Sequence, residues 1–359
     1  MKSGGPADDE LVELAHQCTS MLERGDFGVT LCRVLQPEAA ARLPTPVPIL
    51  DRLATRLWQA QRRALVELGQ WFDDDGITAI VLKGSDHIER YCGSQPLGTH
   101  ADIDVLVGRQ ALGMARRRLY SQGYVQAVYD PEGHTWVDYD GLEAMRIEAT
   151  HYELLPFVRV ERQELTTDDV EALRDLPPRT HRMLEHRGIH ISGDTVVLQV
   201  CIDLHHGLFK DDDPGPLFER AVDSPFAKSM LGLGPTDDLW ICLHREYLNV
   251  ASRARTSPKG LFYCAKLAGA PGVDWDQLIE RATARDMPGL YYWLSFINAL
   301  ADQQPVPAEA LAHLRELKRN SRCDWGWQLE RVLGVESSVS WLLDPPWPSG
   351  REPHRSHGP

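Results

Sequence analysis

The chain has 359 residues, 43% hydrophobic and 25% charged, a globular rather than a disordered balance and enough for one large domain or two ordinary ones. A formal net charge of −14 argues against a general nucleic-acid surface, which needs a basic stripe. The seven cysteines form no CxxC pair, no apolar run reaches membrane-spanning length, and no signal peptide is visible, so the expectation is a cytoplasmic protein with reduced thiols and no membrane partner.

In chain order, residues 1–48 read as an N-terminal helical leader. Leu11, Leu14, Ala15, Cys18, Met21 and Leu22 recur at helical spacing, and Pro37, Pro44, Pro46 and Pro48 mark a link. A long helix is expected from about Ile49 to Phe72, with Leu53, Leu57, Ala60, Ala64, Leu65 and Leu68 as its apolar stripe against a sheet. Asp73-Asp74-Asp75 reads as a solvated turn closed by the capping glycine Gly76. Ala79 to Leu82 is an apolar strand that breaks at Lys83-Gly84-Ser85, and a helix follows from Asp86 to Tyr91, with Asp86 as a cap.

Ala101 to Val107 forms the next strand. Side chains alternate across a strand, so Asp102 and Asp104 share one face while Ala101, Ile103, Val105 and Val107 face a core. A basic helix is expected over Arg109 to Gln122, a strand over Tyr124 to Tyr129, and a further hairpin from His134 to Tyr139 and Met145 to Ala149. The polar stretch 161–193, with Pro177-Pro178, reads as an insert between strands. Thr195 to Asp203 is the third core strand, with Cys201, Asp203 and His205 on one face. From Thr236 the pattern is helical, starting at the capping signal Thr236-Asp237-Asp238. Further helices are expected at 259–268, 274–285, 289–300, 308–318 and about 324–343, then a disordered tail. The domain expectation is therefore a leader (1–48), a catalytic domain (49–235), a helical C-terminal domain (236–343) and a tail (344–359).

Two carboxylates side by side repel each other unless a cation sits between them, and hard oxygen ligands suit magnesium. The Gly84-Ser85 turn offers backbone N–H groups at a strand-to-helix junction, where an anionic phosphate is favoured. Together they point to nucleotide polyphosphate chemistry. Blander readings stand beside this one: Asp102 and Asp104 as surface acids of an edge strand, His151 as a structural histidine, and Cys201, Asp203 and His205 as a crowded zinc set.

The run Leu82-Lys83-Gly84-Ser85, then Asp102-Ile103-Asp104-Val105-Leu106-Val107, then Cys201-Ile202-Asp203-Leu204-His205, resembles the nucleotidyltransferase fold superfamily. It looks most like a bacterial branch described as uncharacterised nucleotidyltransferases, over roughly residues 57 to 300. The resemblance implies an α/β (α+β) fold: a small mixed sheet flanked by helices, with a mostly helical C-terminal region. It implies a magnesium-dependent transferase that moves a nucleotidyl group, AMP from ATP, to a small-molecule acceptor. Asp102, Asp104 and Asp203 would be the catalytic acids that hold one or two Mg²⁺ ions; Lys83, Gly84 and Ser85 would bind the nucleotide; His205 and His151 would stand on the acceptor side. Two positions depart from the branch: Leu97-Gly98-Thr99-His100 replaces a usual arginine before the acids, and the third acid is Asp203 rather than glutamate. The same site in an amide-forming ligase that adenylates a carboxylate, in a metal-dependent hydrolase, or in a catalytically silent nucleotide-binding module are the alternatives. Acceptor identity has no code in the sequence.

Overall fold

A computed structural model describes residues 46–130, 135–208, 213–253, 258–287, 289–300 and 304–320. The leader helix, the helix at about 324–343 and the tail lie outside the described residues. The rest is a mixed α/β chain, with one mixed sheet and twelve helices among the described residues.

The first helix, α1 (Pro46–Asp75), carries the expected stripe: Leu53, Leu57, Ala60, Ala64, Leu65 and Leu68 are all buried. It ends where Gly76 adopts φ +65°, a conformation that costs glycine little. Then come β1 (Ala79–Leu82), α2 (Gly84–Tyr91), β2 (Ile103–Val107), α3 (Leu112–Ser121), β3 (Val125–Asp130) and β4 (Thr135–Asp138). They are followed by α4 (Gly141–Thr150), β5 (Phe157–Glu164), α5 (Thr167–Arg174), α6 (Pro178–His186), β6 (Ile189–Ser192) and β7 (Thr195–His205). After these run α7 (Gly215–Glu219), β8 (Val222–Asp223), β9 (Met230–Gly232) and the helices α8 (Pro235–Arg253), α9 (Pro258–Ala268), α10 (Trp275–Ala284), α11 (Leu290–Leu300) and α12 (Ala308–Asn320).

The sheet order is β4-β3-β5-β7-β2-β1-β9-β8, with β6 also on β7. Two pairs are parallel, β2 with β7 and β1 with β9. The centre of the sheet is thus β7-β2-β1, and β2 is buried along its whole length. This overturns the edge-strand reading of Asp102 and Asp104. On β7, Val196, Leu198, Val200, Ile202 and Leu204 are buried on one face. That face looks toward α1, because Arg159 and Glu161, which stand opposite Val200 and Leu198, are ion-paired to Glu67 and Arg63 of α1. Cys201, Asp203 and His205 face the other way.

Four local expectations fail. Asp73-Asp74-Asp75 is not a turn but the end of α1, and Asp75 pairs with Arg118. Met145 to Ala149 belongs to a helix, because the Asp140 carboxylate accepts from Leu142 N and starts α4. Residues 161–193 are not an insert: they complete β5 and supply α5, α6 and β6, with Thr166 capping Asp169 N and Pro178 at the first turn of α6. Asp86 is not a cap. It is 1% exposed and accepts from Arg90 one turn on, at 2.7 Å to Nε.

The chain divides into two compact units. One holds the described residues up to Asp238 together with those of 257–262; the other begins at Leu239 and includes Tyr263 onward. The second unit is helical, with Leu278, Ala282, Leu294, Ile297 and Leu314 in its interior. Within it the Cys242 and Cys264 sulfurs stand 3.2 Å apart as thiols in hydrogen-bond contact, with no disulfide between them. No helix among the described residues is long and apolar enough to cross a membrane.

Candidate active site

The site is assembled by strand register. Asp104 on β2 lies opposite Asp203 on the parallel neighbour β7, and Leu82 at the end of β1 lies opposite Asp104 on the antiparallel side. Paired residues of adjacent strands point to the same face, so Asp104 and Asp203 stand side by side and Asp102, two residues before Asp104, joins them.

Asp104 is the hub. Its Oδ1 accepts from Lys83 Nζ at 2.8 Å and meets His205 Nε2 at 2.8 Å. Burial opposes its charge, but the Lys83 ammonium and the His205 ring outweigh that and hold the carboxyl well below its usual range. Asp203 behaves oppositely. Burial, then the charges of Asp102 and Asp104, push its carboxyl up to about 8. Two acids whose environments drive their proton affinities apart are a frequent mark of a reactive site.

Lys83 ends β1 at φ 54° and ψ −131°, a strained conformation for a side-chain-bearing residue. The bend turns the chain into α2, which opens at Gly84 and Ser85. Ser85 is 2% exposed, and its hydroxyl has no hydrogen-bond partner among the described residues. Gly84 has no room for a side chain: a Cβ there would stand 2.1 Å from His100 Nδ1. The stretch before the acids is held by Gln61 Nε2 on His100 O at 2.7 Å and Lys259 Nζ on Thr99 O at 2.6 Å. The position that departs from the resembled branch is thus occupied by an imidazole laid against the bend. Arg90 is committed elsewhere, to Asp86 and Asp238.

The two histidines named from the sequence part company. His205, 2% exposed, sits within the cluster. His151 is exposed at the end of α4, and its backbone meets His206, whose side chain faces away from that of His205. The residue that does reach the cluster from this segment is Glu153, which the sequence reading passed over. It pairs with His205 through an isolated antiparallel bridge, and its Oε2 stands 3.6 Å from His205 Nδ1. The alternation in Tyr152-Glu153-Leu154 was visible, but a bridge to a strand so distant in sequence was not. A separate surface cavity of about 570 Å³ opens past the C-terminal end of β2, lined by Arg109, Gln110, Asp213 and Phe218 among others, and does not include Asp102, Asp104 or Asp203.

A family model described as an uncharacterised nucleotidyltransferase matches residues 46–302. The chain belongs to that family. No curated protein and no solved structure matches it. Membership in this nucleotidyltransferase family supports nucleotidyl transfer as the general activity, a class of reaction that uses a nucleoside triphosphate and a divalent metal.

The donors of this nucleotidyltransferase fit a hard cation. Three carboxylates share one face, and burial, then the charges of Asp102 and Asp104, favour a proton on Asp203 until a cation takes its place. As placed, no three His, Cys, Asp or Glu side chains among the described residues form a ready-made metal cage. Magnesium rarely uses one: it is usually held by one or two carboxylates together with substrate phosphates and water. The zinc reading fits less well. Cys201 Sγ donates to Asp203 at 3.5 Å, and burial, then the Asp203 charge, push its thiol well up, the reverse of a zinc-ligating thiolate.

Proposed function

We propose that the protein transfers a nucleotidyl group, AMP from ATP, to a hydroxyl of a small-molecule acceptor with the help of magnesium. The observation that carries this reading is the register pair Asp104–Asp203, beside a strained Lys83 bend that leads into α2. Asp102, Asp104 and Asp203 would hold magnesium, which supplies charge neutralisation at the α-phosphate and at the leaving pyrophosphate. Gly84 and Ser85 receive the β- and γ-phosphates at the N-terminus of α2, where the helix dipole and free N–H groups favour anions. Lys83, already on Asp104, adds positive charge between the acids and the phosphates. Asp203, once deprotonated, takes the acceptor's hydroxyl proton as the oxygen attacks phosphorus, and the bond to pyrophosphate breaks. His205 orients Asp104 from the opposite side to Lys83.

Pyrophosphate release from ATP and Mg²⁺ with a mixture of small hydroxylic acceptors tests the reading. Release is expected from the wild type and is expected to fall on the order of 10³-fold in both Asp102→Asn and Asp104→Asn. Equal turnover in the wild type and both variants contradicts the assignment.

A further inference from the structure

The two ends of the site differ in chemistry. Lys83, Gly84 and Ser85 lie on the β1 side of the carboxylates, so in the reading above the polyphosphate enters there. In-line displacement places the attacking group opposite the leaving pyrophosphate. The acceptor therefore approaches from the β7 and β5 side, where Glu153, Tyr152 and His205 stand.

These groups form a built surface. The Glu153 side chain is 41% exposed and shares a face with His205 across their antiparallel bridge. The His205 ring is almost wholly buried, its Nε2 is on Asp104, and its Nδ1 has no hydrogen-bond partner among the described residues while facing Glu153 at 3.6 Å. Tyr152 lies over that ring with centroids 6.0 Å apart and planes 23° from parallel. The phenol of Tyr139, just past β4, is raised by burial and then by the charges of Cys201 and Asp203. The acceptor side thus presents carboxylates and aromatic rings, while the positive charge of Lys83 is spent on Asp104.

Resting on the nucleotidyl-transfer reading, we infer that the acceptor carries a protonated amine close to its reacting hydroxyl, held by the Glu153 carboxylate beside the ring of Tyr152. A cation gains from both partners: a charge-assisted hydrogen bond from the amine to the carboxylate, and attraction to a ring face. An acidic acceptor would meet the Glu153 carboxylate where an amine is attracted to it, which weighs against the carboxylate-adenylating ligase. The step itself balances: the acceptor oxygen bonds to the α-phosphorus, the phosphorus–oxygen bond to pyrophosphate breaks, and the hydroxyl proton passes to Asp203, while the amine keeps its own protons and serves only as the handle.

The test is a thermal-shift series with matched sugars and alcohols that carry an amine, a neutral hydroxyl or a carboxylate on the same skeleton, with and without Mg²⁺ and a non-hydrolysable ATP analogue. Amine-bearing probes are expected to raise the melting temperature where their neutral and acidic counterparts do not. Glu153→Gln is expected to weaken that binding roughly tenfold, and Glu153→Asp to restore part of it. Amine, neutral and acidic probes acting alike, no amine probe acting at all, or an unchanged amine response in Glu153→Gln would each overturn the inference. The nucleotide-only arm is scored by itself: its failure counts against nucleotidyl transfer, while the amine arm without nucleotide still decides the acceptor question.

Discussion

At Gly84 a single hydrogen atom separates a working bend from a clash. Any Cβ there would meet the His100 ring, so Gly84→Ala forces the imidazole out of place. The expected cost is about 1–3 kcal/mol in denaturant unfolding, recovered in large part by adding His100→Ala, since the two sites couple through one contact. A double mutant no more stable than Gly84→Ala would show that the strain lies elsewhere. Lys83 gives the complementary case. Its backbone conformation suits glycine, so Lys83→Gly relieves backbone strain of about 1–3 kcal/mol while it removes the ammonium from Asp104. The variant is expected to stay folded and to lose nucleotide-induced stabilisation; a variant that keeps the full ligand response would show that Lys83 serves only the turn. At this scale the sequence was informative where chemistry repeats at fixed spacing. Asp102 and Asp104 are two apart, as are Cys201, Asp203 and His205, and period-two alternation places each set on one face without knowledge of the fold. Glu153 carries no such mark, because its place beside His205 depends on a bridge between segments far apart in sequence.

Among the elements, α2 depends on what anchors it. Asp86 and Asp238 are both 1% exposed and share Arg90, while His87 Nε2 meets Asp238 Oδ1 at 2.6 Å. This network ties the helix behind the Lys83 bend to the first turn of α8. Removing the shared cation leaves two buried carboxylates facing each other, so Arg90→Met is expected to cost about 3–5 kcal/mol. Calorimetric melting checks this; a loss below about 1 kcal/mol would mean that water reaches the pair. The sequence signalled the start of α8 through Thr236-Asp237-Asp238, yet the acids are engaged otherwise: Asp238 takes Arg90 and His87, and Asp237 takes Arg220. Helix starts are local and readable, whereas the use of an acid after the turn has formed depends on what packs there. The stripe of α1 was legible for the same reason, a strong 3.6-residue period over many turns. The segment after Asp140 is expected as a hairpin strand although Leu142, Glu143, Ala144, Met145 and Arg146 are good helix formers, and in the fold they follow the Asp140 cap into α4.

For the molecule as a whole, proton linkage joins site and stability. The Asp203 carboxyl rises from 3.8 to about 8, and the Asp86 carboxyl, by burial and then the Asp238 charge, to about 7. A raised acid binds its proton more tightly folded than unfolded. Its favourable contribution is complete below the unfolded value and declines as pH climbs toward the folded one. The protein is therefore expected to lose stability between roughly pH 4 and 8 through these groups, whereas Asp104, whose value falls, changes its contribution only below that window. Asp203→Asn is expected to melt higher than the wild type at pH 8 and to flatten the profile; a variant that keeps the wild-type slope would remove Asp203 from the linkage. The repulsion among Asp102, Asp104 and Asp203 makes the cluster receptive to a cation with a nucleotide tail. Calorimetric titration of a non-hydrolysable ATP analogue, with and without Mg²⁺, into wild type and Asp104→Asn tests that idea most directly. The account predicts binding that requires Mg²⁺ and disappears in a folded Asp104→Asn protein. Equal affinity without the metal, or in the variant, would contradict it.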